Sequence, residues 1–262
     1  MNRLKRALTV MKFELRRSLT MPRLAVWSVL ALFPPAIVLL ICVGGAMLPD
    51  YVLALIFVWL IPQVICLLAL LLWVSPAVHT ELEGKTWGYL AVRPDGRSAL
   101  LFGKYLTGVI WATLACLVGL TLAVSVAVGF ERLRNPVQFW VIFAVLVLLA
   151  SFGYGAVFSL VGALFHRRAM VISVTYSIFS EFVLTNIPGA VIVKQFTFSF
   201  HFKNLLFAWR DFNLPTTELN EFFLDNAPPL QHLAIMIALT VVLLFFANFA
   251  VTHREYITAD ES

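Results

Sequence analysis

Long runs of apolar residues, separated by short polar connections, dominate the chain. A helix needs about 20 largely apolar residues to cross the hydrocarbon core of a bilayer. Six stretches satisfy this requirement: Leu24–Leu48, Tyr51–Val78, Leu101–Phe130, Phe139–Phe165, Met170–Val193 and Leu230–Val251. The pattern predicts an all-α fold, a polytopic transmembrane helical bundle of about six spans. Only Pro49 and Asp50 separate the first two stretches, which predicts a tight helical hairpin.

The N-terminal residues 1–22 have a different pattern. Leucine and methionine recur at helical spacing and form one apolar stripe, and Lys5, Lys12 and Arg16 flank it. This pattern predicts a basic amphipathic helix that lies in the cytoplasmic interface of the membrane. It can act as a topology anchor and can also contact a cytoplasmic partner. The stripe consists of Leu4, Leu8, Met11, Leu15 and Leu19.

The distribution of lysine and arginine predicts the orientation. With the N-terminus inside, fourteen of the 19 basic residues lie on the cytoplasmic side and five on the other. This asymmetry fits the positive-inside rule. An even number of spans returns the C-terminus to the cytoplasm, so we expect a multi-pass protein of the plasma (inner) membrane with both ends inside.

Composition excludes most soluble functions. The 262 residues are 61% apolar and only 13% charged. A soluble domain of this length could not cover that much apolar surface with polar groups. We therefore expect one transmembrane domain over 1–262, with membrane lipid as its solvent. The net charge is +5, and the basic residues flank the apolar runs. This position indicates the membrane surface rather than nucleic acid as their partner.

The sequence carries no recognisable catalytic motif, so we predict that the chain is not an enzyme and that it binds no metal or cofactor directly. Cys42, Cys66 and Cys116 lie inside apolar stretches without metal-ligand spacing. Gly84-Lys85-Thr86 resembles the end of a P-loop, but His79 stands where that motif requires its first glycine. Any ATP-driven role therefore needs a partner chain.

Three polar residues inside predicted spans could line a pathway. Glu181 is the carboxylate deepest in a span, and Gln63 and Asn186 are weaker candidates for the same cavity. A carboxylate at that depth usually faces a cavity or a partner. Glu181 could titrate in a proton or cation relay, or it could be a hydrogen-bonded or protonated carboxyl group, or its segment could lie nearer the interface.

Small residues recur every fourth position in the fourth span. This spacing lets helix backbones approach closely, either within the chain or between two subunits. The residues are Ser151, Gly155, Ser159 and Ala163.

Residues 194–229 form the longest extracytoplasmic segment. Phenylalanines at 196, 198, 200 and 202 alternate with polar residues, and this period of two predicts an extended piece with one aromatic face. A short helix is expected to begin near Thr216 or Thr217. The segment could belong to an aromatic interfacial belt, or it could be a gate or substrate-exit element.

The loop over residues 79–100 follows the second span. We predict a short helix from about Thr80 to Ala91, with Thr80 as its N-cap and Glu83 three residues on. Pro94-Asp95-Gly96 predicts a turn. Acidic and aromatic residues share this helix, so the loop is either an ordinary connector or a surface that docks on another protein.

This loop resembles the permease subunits of ABC-2 type exporters. The resemblance lies in a glutamate-rich turn, Gly84-Lys85-Thr86 followed by Leu90, Arg93-Pro94 with Arg97, and Gly103-Lys104 leading into the third span. The overall layout is also similar. The resemblance implies a coupling helix that docks on a separate ATPase and a return into the third span at Gly103 and Lys104. The coupling residues that it implies are Glu81, Glu83, Gly84, Lys85, Thr86, Arg93, Pro94 and Arg97.

The resemblance implies a permease that pairs with a second copy or a homologous chain, with ATP bound by the cytoplasmic ABC ATPase partner. Two alternatives remain. One is an ion-coupled secondary carrier that uses Glu181. The other is a non-transporting membrane subunit with a scaffold or immunity role.

Overall fold

The protein is mainly helical in the part of the chain that the structure describes. This computed structural model describes residues 3–45, 48–84, 87, 95–133, 135–187, 191–210, 227–254 and 256. Every regular element there is a helix, which confirms the predicted all-α bundle. The α-helices are α1 Arg3–Arg17, α2 Met21–Val43, α3 Asp50–Val58, α4 Cys66–Trp73, α5 Ala77–Glu83, α6 Gly96–Gly129, α7 Pro136–Leu164, α8 Ala169–Tyr176, α9 Val191–Lys194, α10 Phe198–Trp209 and α11 Pro229–His253.

Five helices among the described residues are long and apolar enough to cross a membrane. One of them is the 34-residue run Asp50–Glu83, in which a π-helix at Trp59–Ile65 joins α3 to α4 and a turn at Pro76 leads into α5. A run of that length extends about 51 Å, well beyond the roughly 30 Å of a hydrocarbon core. The other four are α2, α6, α7 and α11.

The predicted fifth span is not one continuous helix. It consists of α8, a π-helix at Ser177–Val183 and a 3-10 turn at Leu184–Asn186, and residues 188–190 lie outside the described ranges. Glu181 lies in the π-helical turn, where its carboxyl group meets α10. A carboxylate in an apolar span needs such donors, and the distorted turn supplies the position from which it reaches them.

The first hairpin has a longer connection than the sequence predicts. The helix α2 ends at Val43, and α3 begins only at Asp50. Gly45 has a φ of 72°, the left-handed conformation that commonly ends helices. The prediction that Pro49 and Asp50 alone form the turn is therefore wrong.

The helices α6 and α7 form the centre of the bundle, and α2, the α3–α4 run and α11 pack around them. Aromatic side chains fill the contact between α3 and α7. The Phe57 and Phe139 rings meet edge to face at 5.0 Å, and those of Phe139 and Phe143 stack at 4.5 Å. In contrast, α11 leaves Val241 and Phe245 mostly exposed, as expected for a helix that faces lipid.

The helix α1 packs along the first half of α6. Ala7 is buried, and so is Ser18 directly after the helix; both lie next to the predicted leucine stripe rather than on it. From the stripe, Leu8 is 38% exposed and Leu19 59%. The predicted amphipathic helix is thus confirmed, and its narrow small-residue side contacts the bundle while leucines remain available to lipid.

Three tryptophans meet near one end of the bundle. Trp111 lies between Trp27 and Trp73, with ring centres 6.2 and 6.5 Å away, and its indole N–H donates to Ser18 Oγ at 2.8 Å. Tryptophan clusters typically mark the membrane interface. We call the end beyond this cluster the terminal face; it comprises α1, α5, the first turns of α6, Trp87 and residues 254 and 256.

The aromatic stretch after Gln195 is helical. Phe198–Trp209 forms α10, so the predicted extended piece is wrong. Phe198 and Phe202 are buried in the bundle core, and Phe200 is 4% exposed. Phe198 and Phe202 are four residues apart and therefore share one face of a helix. The helix expected near Thr216 or Thr217 lies outside the described residues.

Candidate functional site

An ion pair between Glu81 and Lys104 joins α5 to α6 at the terminal face. Lys104 Nζ lies 2.6 Å from Glu81 Oε1 and also donates to Thr80 Oγ1 at 2.9 Å and Ala77 O at 3.1 Å. These three acceptors use all three ammonium protons. Both charged side chains are less than 10% exposed. The pair fixes α5 on α6 and leaves Glu81 buried, whereas the resemblance implies a coupling residue at this position.

The start of α5 also differs from the prediction. The helix begins at Ala77 after Pro76, and the Thr80 hydroxyl donates to Ala77 O from within the helix. Thr80 is thus not an N-cap. A proline at the N-cap costs no helical hydrogen bond, because an N–H group there would have no partner within the helix.

Glu83 and Gly84 are the exposed members of the implied coupling set at the end of α5. His79 Nε2 lies 3.2 Å from Glu83 Oε1, one helical turn earlier. The remaining residues of the set, Lys85, Thr86, Arg93 and Pro94, lie outside the described residues. Within the described part, the exposed end of α5 therefore presents the carboxylate of Glu83 and the backbone of Gly84, which has no side chain.

Arg97 points inward to the end of α11. Its guanidinium donates to Thr252 O at 3.1 Å and to Arg254 O at 3.3 Å, and its centre lies 5.7 Å from the Trp87 ring centre. Cationic donors satisfy the last carbonyls of a helix, which have no partner within it. Arg97 thus caps a spanning helix, a role that its place in the motif did not indicate.

Gly103 allows α1 to approach α6 closely. A Cβ atom at this position would lie 2.6 Å from Val10 Cγ1 and 3.1 Å from Ala7 O. One turn along, the Thr107 hydroxyl donates to Gly103 O at 2.9 Å. Gly103 and Lys104 therefore place two different neighbours, α1 and α5, on adjacent sides of α6.

Inside the bundle, Glu181 holds the beginning of α10. Its Oε2 accepts from Ser199 N at 2.8 Å and from the Tyr154 hydroxyl at 2.9 Å, and Oε1 accepts from Phe198 N at 3.3 Å. The residue is 1% exposed. The Ser180 hydroxyl also donates to Oε1, at 3.5 Å. Donors to both oxygens of a carboxyl group at a helix N-terminus form a favourable anion site. This geometry supports the hydrogen-bonded interpretation of Glu181.

Gln63 contacts the same helix through the side chain of Ser199. Its amide N–H donates to Ser199 Oγ, while its Oε1 has no hydrogen-bond partner among the described residues. Gln63 also lines an apolar cavity of about 230 Å³ between the two π-helical regions, together with Leu67, Ser177 and Phe182. The side chain of Asn186 lies outside what the structure describes. Of the three pathway candidates, Gln63 lines this cavity, and Glu181 instead binds α10.

The small residues of α7 face inward. A Cβ atom at Gly155 would lie 2.9 Å from the Tyr105 ring. Ser151 Oγ lies 3.4 Å from Cys66 Sγ, and Ser159 and Ala163 are buried. This placement favours packing within the chain over a contact between subunits.

Several contacts involve residues that the sequence gave no reason to single out. Tyr154 and Ser199 complete the Glu181 cluster, and His201 Nδ1 lies 2.9 Å from His232 Nδ1. Each partner is far away in the sequence, so spacing carries no signal. In the described part of the chain, no group of three histidine, cysteine, aspartate or glutamate residues could hold a metal ion.

Comparison with known proteins gives no independent assignment. No protein-family model matches the chain, and no curated protein is similar to it. The structural features that bear on function are therefore the fixed α5 at the terminal face and the Glu181 contacts at the N-terminus of α10.

Proposed function

We propose that this chain is the membrane-spanning permease subunit of an ATP-binding cassette exporter of the ABC-2 type. In this proposal the terminal face is cytoplasmic, and a separate ABC ATPase subunit docks there. Two copies, or this chain and a homologous one, form the translocation pathway in the plasma membrane.

The attachment of α5 is the observation that supports this proposal best. The helix continues the spanning run Asp50–Glu83, and the buried Glu81–Lys104 pair also ties it to α6. Breaking a buried ion pair leaves an uncompensated charge, so α5 resists separation from α6. A displacement applied at Glu83 would therefore move two spanning helices together.

ATP binding can drive such a displacement only if the ATPase binds the two permease conformations with different affinity. The exposed end of α5, with Glu83 and Gly84, is the surface on which that difference would act. The Glu181 cluster would then connect the spanning helices to α10 on the far side of the bundle.

The test is co-purification of the affinity-tagged chain with an ABC ATPase from native membranes. Glu83→Lys should weaken the association about tenfold, since a reversed charge at an interface opposes its complement. Glu131→Lys is the matched control, because Glu131 is an exposed acid at the opposite end of α6.

Absence of any ABC ATPase with the unmodified chain would contradict the proposal. Equal association of the Glu83→Lys and Glu131→Lys chains would mean that α5 is not the docking surface. In the second case the permease assignment would survive, and the docking surface would have to be sought elsewhere on the terminal face.

A further inference from the structure

The C-terminal residues after α11 cap a second spanning helix. The Arg254 guanidinium donates to Leu164 O, and the Tyr256 hydroxyl donates to Ala163 O at 2.8 Å. Both acceptors belong to the last turn of α7, whose carbonyls have no partner within the helix. Because Arg97 caps α11 in the same way, the ends of α7 and α11 and the start of α6 are tied together.

Trp87, from the loop after α5, lies against this arrangement. It is 4% exposed, and its ring meets the Tyr256 ring edge to face at 4.8 Å. The Arg97 guanidinium lies near the same indole, 5.7 Å from its centre. Leu82 and Val251 belong to the same apolar cluster. Trp87 therefore contacts the tail as well as the cluster that includes Leu82 of α5.

We propose that Tyr256 is a positioning residue of the ATPase-coupling site, which holds Trp87 and so passes the movement of the loop to α7 and α11. This inference rests on the proposed function, because it assigns a role in coupling to a contact within the chain. It adds the C-terminal tail to a site that the sequence motifs confine to residues 79–104.

The chemistry of Tyr256 suits this position. The ring provides the contact with Trp87, and the hydroxyl fixes the ring on α7 through Ala163 O. Burial raises the pKa of Tyr256 to about 12, so the phenol remains a hydrogen-bond donor at physiological pH. Tyr256→Phe should keep the ring contact and lose only the anchor, whereas Tyr256→Ala should lose both.

The first measurement follows the loop without any partner. The full-length chain in lipid nanodiscs is treated with trypsin, and cleavage after Lys85, two residues before Trp87 in the sequence, is timed. Loss of an aromatic contact and its anchor should increase local opening, so Tyr256→Ala should be cut about tenfold faster, with Tyr256→Phe in between. Phe245→Ala, an exposed aromatic of α11, should be cut at the rate of the unmodified chain.

The second measurement uses the ABC ATPase that co-purifies with the unmodified chain. Tyr256→Ala should lower the permease-stimulated ATP turnover about tenfold, while the ATPase concentration for half-maximal stimulation changes less than about twofold. Tyr256→Phe should recover part of the turnover. Heating each variant with a thiol-reactive fluorogenic dye, which labels the buried cysteines on unfolding, checks that it is folded. If Tyr256→Ala is not folded, the comparison rests on Tyr256→Phe.

The outcomes separate this inference from the proposed function. Unchanged cleavage in both Tyr256 variants would show that the tail does not hold the loop. Faster cleavage with unchanged ATP turnover would show that the contact is structural only, and either result overturns the inference. Failure of the unmodified chain to bind any ABC ATPase would instead overturn the proposed function, and the coupling role with it.

Discussion

Glu181→Gln is expected to destabilise the protein, because the carboxyl group holds the N-terminus of α10. Its Oε2 accepts from Ser199 N and the Tyr154 hydroxyl, and its Oε1 accepts from Phe198 N. Glutamine can keep an oxygen at only one of these two positions. If the oxygen takes the Oε2 position, the new amide N–H₂ faces the N–H of Phe198, and two donors meet.

The magnitude follows from the lost partner and the lost charge. A buried N–H without an acceptor costs about 1–3 kcal/mol. An anion at a helix N-terminus contributes about 0.3–1 kcal/mol, and more when it is buried. The expected loss of unfolding free energy is therefore about 2–4 kcal/mol. For a chain of this size this corresponds to a decrease in Tm of about 5–15 °C.

The chain itself provides the assay. Cys42, Cys66 and Cys116 are free and buried, so a thiol-reactive fluorogenic dye reports unfolding of the purified protein on heating. Glu131→Gln is the matched control, since Glu131 is exposed and its neutralisation should leave the Tm nearly unchanged. Tyr154→Phe removes one donor to the carboxyl group and should lower the Tm less than Glu181→Gln.

The sign of the effect discriminates between the two interpretations of Glu181. A relay carboxyl group without a structural role would be an unfavourable buried charge, and neutralising it would leave the stability unchanged or raise it. A Tm of Glu181→Gln equal to or above that of the unmodified chain would therefore refute the capping role.

Two further predictions concern the terminal face. Gly103→Ala should destabilise by about 1–3 kcal/mol, because the added Cβ would meet Val10 Cγ1 at 2.6 Å; Gly129→Ala, with no atom within 4 Å of the added Cβ, should show no such loss in the same dye melt. Lys104→Met should cost about 3–5 kcal/mol, since it leaves Glu81 buried without its ammonium partner. Adding Glu81→Gln should recover part of that loss, and a double variant no more stable than Lys104→Met would contradict the pairing.

Hydropathy predicts the membrane-crossing part of the fold because lipid imposes a minimum length of apolar helix. Five predicted spans therefore coincide with long helices. The broken span could not be foreseen from apolarity. Glu181 lies in its π-helical turn, and the donors to its carboxyl group include groups of α7 and α10, which are distant in the sequence.

The error at α10 has a related cause. Phenylalanines at alternating positions predict a strand only if one face is buried. In a bundle that surrounds the segment, Phe200 is buried together with Phe198 and Phe202, so the alternation carries no structural information.

The motifs do not predict the contacts that their residues make at the terminal face. The resemblance implies a coupling role for Glu81 and the return into the third span at Lys104. In the structure these two residues form an ion pair with each other. Arg97 was a coupling candidate and proves to cap α11. Which charged residues pair depends on the approach of distant helices, which the local sequence does not specify.

Site-specific photo-cross-linking in intact cells tests the central proposal most directly. A photoreactive amino acid is placed at Glu83 in one strain and at Glu131 in another, because these exposed acids lie at opposite ends of the bundle. We expect position 83 to capture a nucleotide-binding ABC subunit, identified by mass spectrometry, and position 131 to capture none. Capture of no such subunit from position 83, or equal capture from both positions, would contradict it.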